Sequence, residues 1–183
     1  MTSDRRWILW SAASIICIAL TAGCGADSNL DPATIAIRNS LLAKQTPRPA
    51  TTIADARIAA LESRLAEKVQ EVTITGTIDA NGHDPWEKES SSFVVMDASE
   101  EYLKATASHN HDDGDCPFCK QKSEPNQYMA VIEIVGDDGQ IFSRSAQPIL
   151  GLKQKQTITV RGDAKINELN MLVVTAKQVH VQR

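Results

Sequence analysis

The sequence predicts a mainly β protein, a small five-stranded antiparallel barrel preceded by one amphipathic α-helix. Three observations predict it. From residue 72 onward apolar side chains recur at every second position, in 72–78, 157–162 and 171–181, which is the period of a strand buried on one face. Between residues 52 and 71 the period is instead three to four, that of a single helix. Turn formers, among them Asn81-Gly82, Pro85 and Asp137-Asp138-Gly139, punctuate the apolar runs at short intervals.

The first 23 residues are a targeting segment. Arg5 and Arg6 form a positive region, residues 7–20 are apolar, and Leu20-Thr21-Ala22-Gly23-Cys24 follows. The apolar run is too short for an ordinary membrane span. This stretch resembles a bacterial lipoprotein signal, although Thr21 stands where Leu is commoner. The resemblance implies cleavage after Gly23, a lipid on Cys24, membrane attachment through that lipid and a domain facing the periplasm. Gly25, rather than Asp, at the second mature position implies the outer membrane. An uncleaved N-terminal anchor is the competing reading, and it exports the chain as well.

Cleavage removes 23 of 183 residues and leaves 160, enough for one domain with a real core. The lost segment carries two arginines and one aspartate, so the formal charge moves from −4 to −5. That acidic balance argues against a nucleic-acid or anionic-surface partner. Cys17 lies in the signal and Cys24 is the lipid acceptor, which leaves only Cys116 and Cys119 as thiols. One close pair does not make a disulfide-stapled scaffold.

Residues 24–51 read as a tether with a possible short helix. Asp31 caps it, Pro32 takes the first helical position, and it runs to about Lys44 before Thr46-Pro47-Arg48-Pro49 breaks it. Its expected role is to space the domain from the membrane. Residues 52–71 are the amphipathic helix, capped by Thr52 with Asp55 in the first turn. Ile58, Leu61, Leu65, Val69 and Val72 form its apolar stripe, and Arg57, Glu62, Arg64, Glu67 and Lys68 occupy the other faces. The stripe is expected to pack on the domain; a short coiled coil is the alternative.

The barrel domain is expected over 72–183. Its strands are 72–78, with Gly76 allowing a bend or bulge, then 93–96, 128–135, 157–162 and 171–181. Asp137-Asp138-Gly139 turns the third strand back into Ile141-Phe142. Ile74, Val95, Ile132, Val160 and Val173 are expected in the core. The pattern of a strand with a central glycine, two further strands, an apolar strand ending in Gly162, a short loop and a last strand through Ala176 and Val179 resembles the OB-fold barrel over residues 72–182. That resemblance implies an OB-like fold with two departures. The helix before the fourth strand shrinks to about 147–153, and a long insert at about 98–127 separates the second and third strands.

The insert carries the densest chemistry in the chain. His109, His111, Cys116 and Cys119 fall within eleven positions as H-x-H-x4-C-x2-C. Cys-x2-Cys lets two thiolates meet one ion across a turn, which Pro117 pre-sets. In an extended segment residues i and i+2 face one way, so His109 and His111 can converge. Two sulfurs and two nitrogens match tetrahedral zinc, with copper as the alternative. Asp112, Asp113 and Asp115 could orient the imidazoles, and Gly114 frees the loop to turn back. A loop of this length is uncommon without its own secondary structure, and a bound metal would order it. A Cys116–Cys119 disulfide with two incidental histidines is the competing account.

Function classes narrow accordingly. The leading expectation is an exported lipoprotein whose barrel binds a protein or cell-envelope partner and carries a structural zinc loop. A periplasmic copper or zinc carrier or sensor is the first alternative. A thiol-disulfide oxidoreductase using Cys116 and Cys119 is the second, because Cys-Pro-Phe-Cys also occurs in glutaredoxin-like proteins. That chemistry needs a lowered thiol pKa, whereas the nearby aspartates raise one. Lys120 rather than His follows Cys119, which excludes an attached c-type haem. An exported OB-fold family handles haem through a late histidine; His180 is similarly late, but within an alternating strand it is expected to face solvent. An oligonucleotide site needs a basic groove with stacking aromatics, and the mature chain is acidic with six aromatic residues. No phosphate loop, metalloprotease helix or Ser-His-Asp arrangement is present, and His83-Asp84 beside Trp86 reads as a solvated loop. The expectation is therefore not an enzyme of a recognisable class.

Overall fold

The computed structural model describes residues 30–66, 68–99 and 125–182. The five strands are β1 (Gln70–Ile78), β2 (Ser92–Asp97), β3 (Met129–Glu133), β4 (Thr157–Ile166) and β5 (Leu172–Val181). They close into a barrel in the order β1-β2-β3-β5-β4. Every pair is antiparallel except β3–β5, which is parallel. A barrel removes exposed sheet edges, so strands as short as β2 and β3 are held on both sides. The fold is OB-like, as the strand pattern predicts.

Alternation decides which side chains fill the interior. Ile74, Val95, Ile132 and Val160 are buried there with Phe93, Ile158, Leu172 and Val174, while Val173 is buried on the opposite face of its strand. Gly76 is not a bulge. A Cβ there would stand 2.7 Å from the Met96 carbonyl oxygen and 3.3 Å from Ile53 Cδ1, so glycine lets β2 and the helix that precedes β1 approach it. The register irregularity falls at Arg161/Gly162, where a Cβ on Gly162 would lie 2.1 Å from the Thr175 carbonyl oxygen. The bulge thus belongs to the long β4–β5 hairpin, whose sharp curvature closes the barrel.

Among the described residues, three helices cover the two ends. Helix α1 (Pro32–Leu41) starts at Asp31, whose carboxylate accepts from the Thr34 N–H at 3.1 Å. It buries Thr34 and Leu41 and packs on β5 and on α3 (Ala146–Leu150). Ala43 then donates to the Val179 carbonyl, and Thr51 pairs with β1 at Ile74. From Leu30 on, the segment expected to be a tether is therefore part of the fold. Its few apolar residues cover one barrel end where the shortened α3 is too small to do so alone.

Helix α2 (Ile53–Leu65) lies across the other end, where β1 and β5 begin and β2 and β4 finish. Its buried side chains are Ile53, Ala56 and Ala60. The expected stripe is corrected here. Ile58, Leu65 and Val69 are exposed, Leu61 is half-buried, and Val72 already belongs to β1. Both faces repeat every three to four residues, and the alanine face wins because small side chains let the helix axis come close to the barrel.

The expected hairpin is present. Val135 pairs with Ile141, and Gly136 N donates to the Gln140 carbonyl at 2.9 Å. Gly139 has φ +74°. Helix α3 ends on Gly151 in the left-handed conformation, the usual glycine stop.

Candidate functional site

The ligand set expected from sequence, His109, His111, Cys116 and Cys119, lies outside the described residues, as does Cys24. What the structure places is the pair of roots from which the insert rises. Met96 of β2 pairs with Met129 of β3, so the chain leaves and re-enters the barrel on adjacent strands. Both roots sit at the α2 end.

The outgoing root is built on Asp97, a carboxylate only 3% exposed. Its Oδ2 accepts from the Ile53 N–H at 3.0 Å, and its Oδ1 accepts from the Ser99 N–H at 2.9 Å. Thr52 caps the same helix, its hydroxyl oxygen accepting from the Asp55 N–H at 3.0 Å. One helix N-terminus is thus satisfied by its own cap and by a carboxylate from β2, a favourable place for negative charge. The contact ties the start of the insert to α2. The returning root, a 3-10 turn at Pro125–Tyr128, also packs on α2. A shallow cleft of about 360 Å³ opens beside the outgoing root, with Thr52, Asp55, Asp97 and Ser99 in its wall. Asp97 escaped the sequence reading. Its one signal is a lone aspartate ending the apolar run of β2.

Two histidines lie among the described residues. His83 is exposed on the β1–β2 loop, consistent with a solvated patch. His180 is corrected from solvent-facing to half-buried, with Nδ1 3.0 Å from the Ala43 carbonyl oxygen. A carbonyl only accepts, so Nδ1 carries the proton and Nε2 is the ring atom left for other partners. His180 lines an open cleft of about 920 Å³ together with Arg38, Lys44 and Gln156. Among the described residues no group of three or more His, Cys, Asp or Glu side chains could hold a metal ion.

Charged side chains elsewhere tie elements together. Arg161 and Lys177 both reach Glu71, and Lys177 also reaches Asp163 at 2.6 Å, joining β1, β4 and β5. The Arg161 and Lys177 donors hold the Glu71 carboxyl below its ordinary range, and Asp163 followed by Glu71 pushes the Lys177 ammonium up. Lys155 pairs with Asp79 and lowers its carboxyl. Asp31 is drawn down to about 2, chiefly by the Thr34 hydroxyl and N–H and then by Arg144. These pairs are largely solvent-exposed and act as surface latches.

No helix among the described residues is long and apolar enough to cross a membrane. Comparison with protein-family models found no match, and comparison with curated proteins found no significant relative.

Proposed function

We propose that this chain is an exported lipoprotein, held at the membrane by a lipid on Cys24, whose OB-like barrel is a binding domain. Its β2–β3 insert folds around one zinc ion held by His109, His111, Cys116 and Cys119. The observation that carries this reading is the H-x-H-x4-C-x2-C spacing, four ligands of the right softness within one loop. The roots support it, because an insert tied to α2 at both ends presents its ligands from a rigid base. OB barrels bind through the β2–β3 face and its neighbouring loops, and the insert's roots lie on those two strands. The metal's role is structural, since four protein ligands leave zinc no open position. The partner is a protein or another cell-envelope component, in keeping with the acidic balance.

The test is metal content of protein isolated from the periplasmic face under reducing conditions. One zinc per chain is expected, lost when Cys116 and Cys119 are both replaced by serine. Copper in place of zinc would favour the carrier reading. Absence of metal with a Cys116–Cys119 disulfide would favour thiol chemistry. In parallel, wild type should take up labelled palmitate and Cys24→Ser should not.

A further inference from the structure

We propose that the α1 end of the barrel is a membrane-contacting surface that rests on phospholipid headgroups, leaving the α2 end with the insert roots turned away. This rests on the reading of Cys24 as the lipid attachment site. The argument begins with reach. Six residue steps separate Cys24 from Leu30, where the described residues begin, and fully extended they would span at most about 20 Å. Helix α1 follows at once and lies wholly on one barrel end. Its first turn is tied to Arg144 through Asp31 and Thr34, and the residues after it are tied to the end of β5.

The barrel is taller than that span. The ten residues of β4 run about 33 Å, or roughly 25 Å along the axis of a tilted barrel. While α1 stays docked, the α1 end stays within about 20 Å of the bilayer, and an upright barrel holds the α2 end away from it. The chemistry of this end suits headgroups. Ile35 and Ile141 are exposed, on α1 and on the hairpin beside Arg144. The cleft between α1 and β5 presents the Lys44 ammonium beside the His180 ring, with no carboxylate among the described residues that line it. A lysine ammonium and exposed isoleucines on the same end fit the phosphate and glycerol region of a bilayer.

The experiment uses full-length, acylated protein in phosphatidylethanolamine/phosphatidylglycerol vesicles containing brominated phosphatidylcholine. Trp86 is the only tryptophan after residue 23, so Trp86→Phe gives a dark background. Into it go Ile141→Trp, Ile35→Trp, and Leu169→Trp on the β4–β5 turn at the α2 end, where Leu169 is 72% exposed. All three positions are at the surface, and the two on the α1 end are independent of each other. Lipid quenching should remove roughly half the emission of Ile141→Trp and Ile35→Trp, as for a tryptophan at the interface, and leave Leu169→Trp unchanged. Quenching of Leu169→Trp, or of none of the three, in protein that carries palmitate and floats with the vesicles overturns the orientation alone. Protein without palmitate overturns the anchor reading and this inference with it.

Discussion

A methyl group on Gly162 would lie 2.1 Å from the Thr175 carbonyl oxygen and 2.8 Å from its carbon. Both atoms belong to the β4–β5 ladder, so no side-chain rotation relieves the contact. Gly162→Ala should therefore destabilise the barrel by about 1–3 kcal/mol or more, read as a lower urea midpoint at unchanged slope. Asp31 works through charge. Its carboxyl lies at about 2 when folded, below its ordinary value near 4, because the folded state stabilises the carboxylate. The folded chain therefore gains stability above pH 4 and loses it as pH falls toward 2. Asp31→Asn should lower the melting temperature at pH 6, and the gap to wild type should close between pH 4 and pH 2. The site is exposed, so high salt should shrink the gap as well.

Helix α2 illustrates how an element can be recognised while its orientation is misread. Its start at Thr52 and its amphipathic period are written locally, but two faces compete for the barrel. The larger residues, Ile58 and Leu65, stay 55% and 89% exposed, while Ala56 and Ala60 are buried. Close approach brings Ile53 into the interior, where its N–H meets Asp97, so the alanine face is coupled to a buried hydrogen bond. Ala56→Leu should cost about 1–3 kcal/mol by overpacking, whereas Leu65→Ser should stay within about 0.5 kcal/mol of wild type. Thermal unfolding of the two variants checks this; the opposite ranking would return the stripe to the larger residues.

At the scale of the molecule, barrel and insert are separable by design. Met96 and Met129 are paired where the insert leaves, so a short connection could close β2 and β3 as an ordinary hairpin. Replacing residues 100–124 with a short Gly-Ser turn should leave the far-ultraviolet spectrum β-dominated and the melting temperature unchanged or slightly higher, since a shorter loop costs less to close. The same variant should lose any bound zinc, which separates the fold from the proposed metal site in one measurement.

Much of this architecture was legible in single stretches of sequence. Alternation set the strands, and all five residues expected in the core are buried. Asp31-Pro32 set the start of α1, and Asp137-Asp138-Gly139 set the hairpin. The proposed ligands were legible for the same reason, because their identities and spacing are properties of eleven consecutive residues. Such signals depend on neighbours along the chain, through backbone sterics and side-chain period. Only the tertiary structure decided the parallel β3–β5 pairing that closes the barrel, the buried face of α2, and the docking of α1 in place of a free tether. It also decided the partners of Asp97 and His180, which lie 44 and 137 residues away. Those outcomes turn on what stands across from a residue in space. A small alanine or a lone aspartate carries no record of that until the chain has closed on itself.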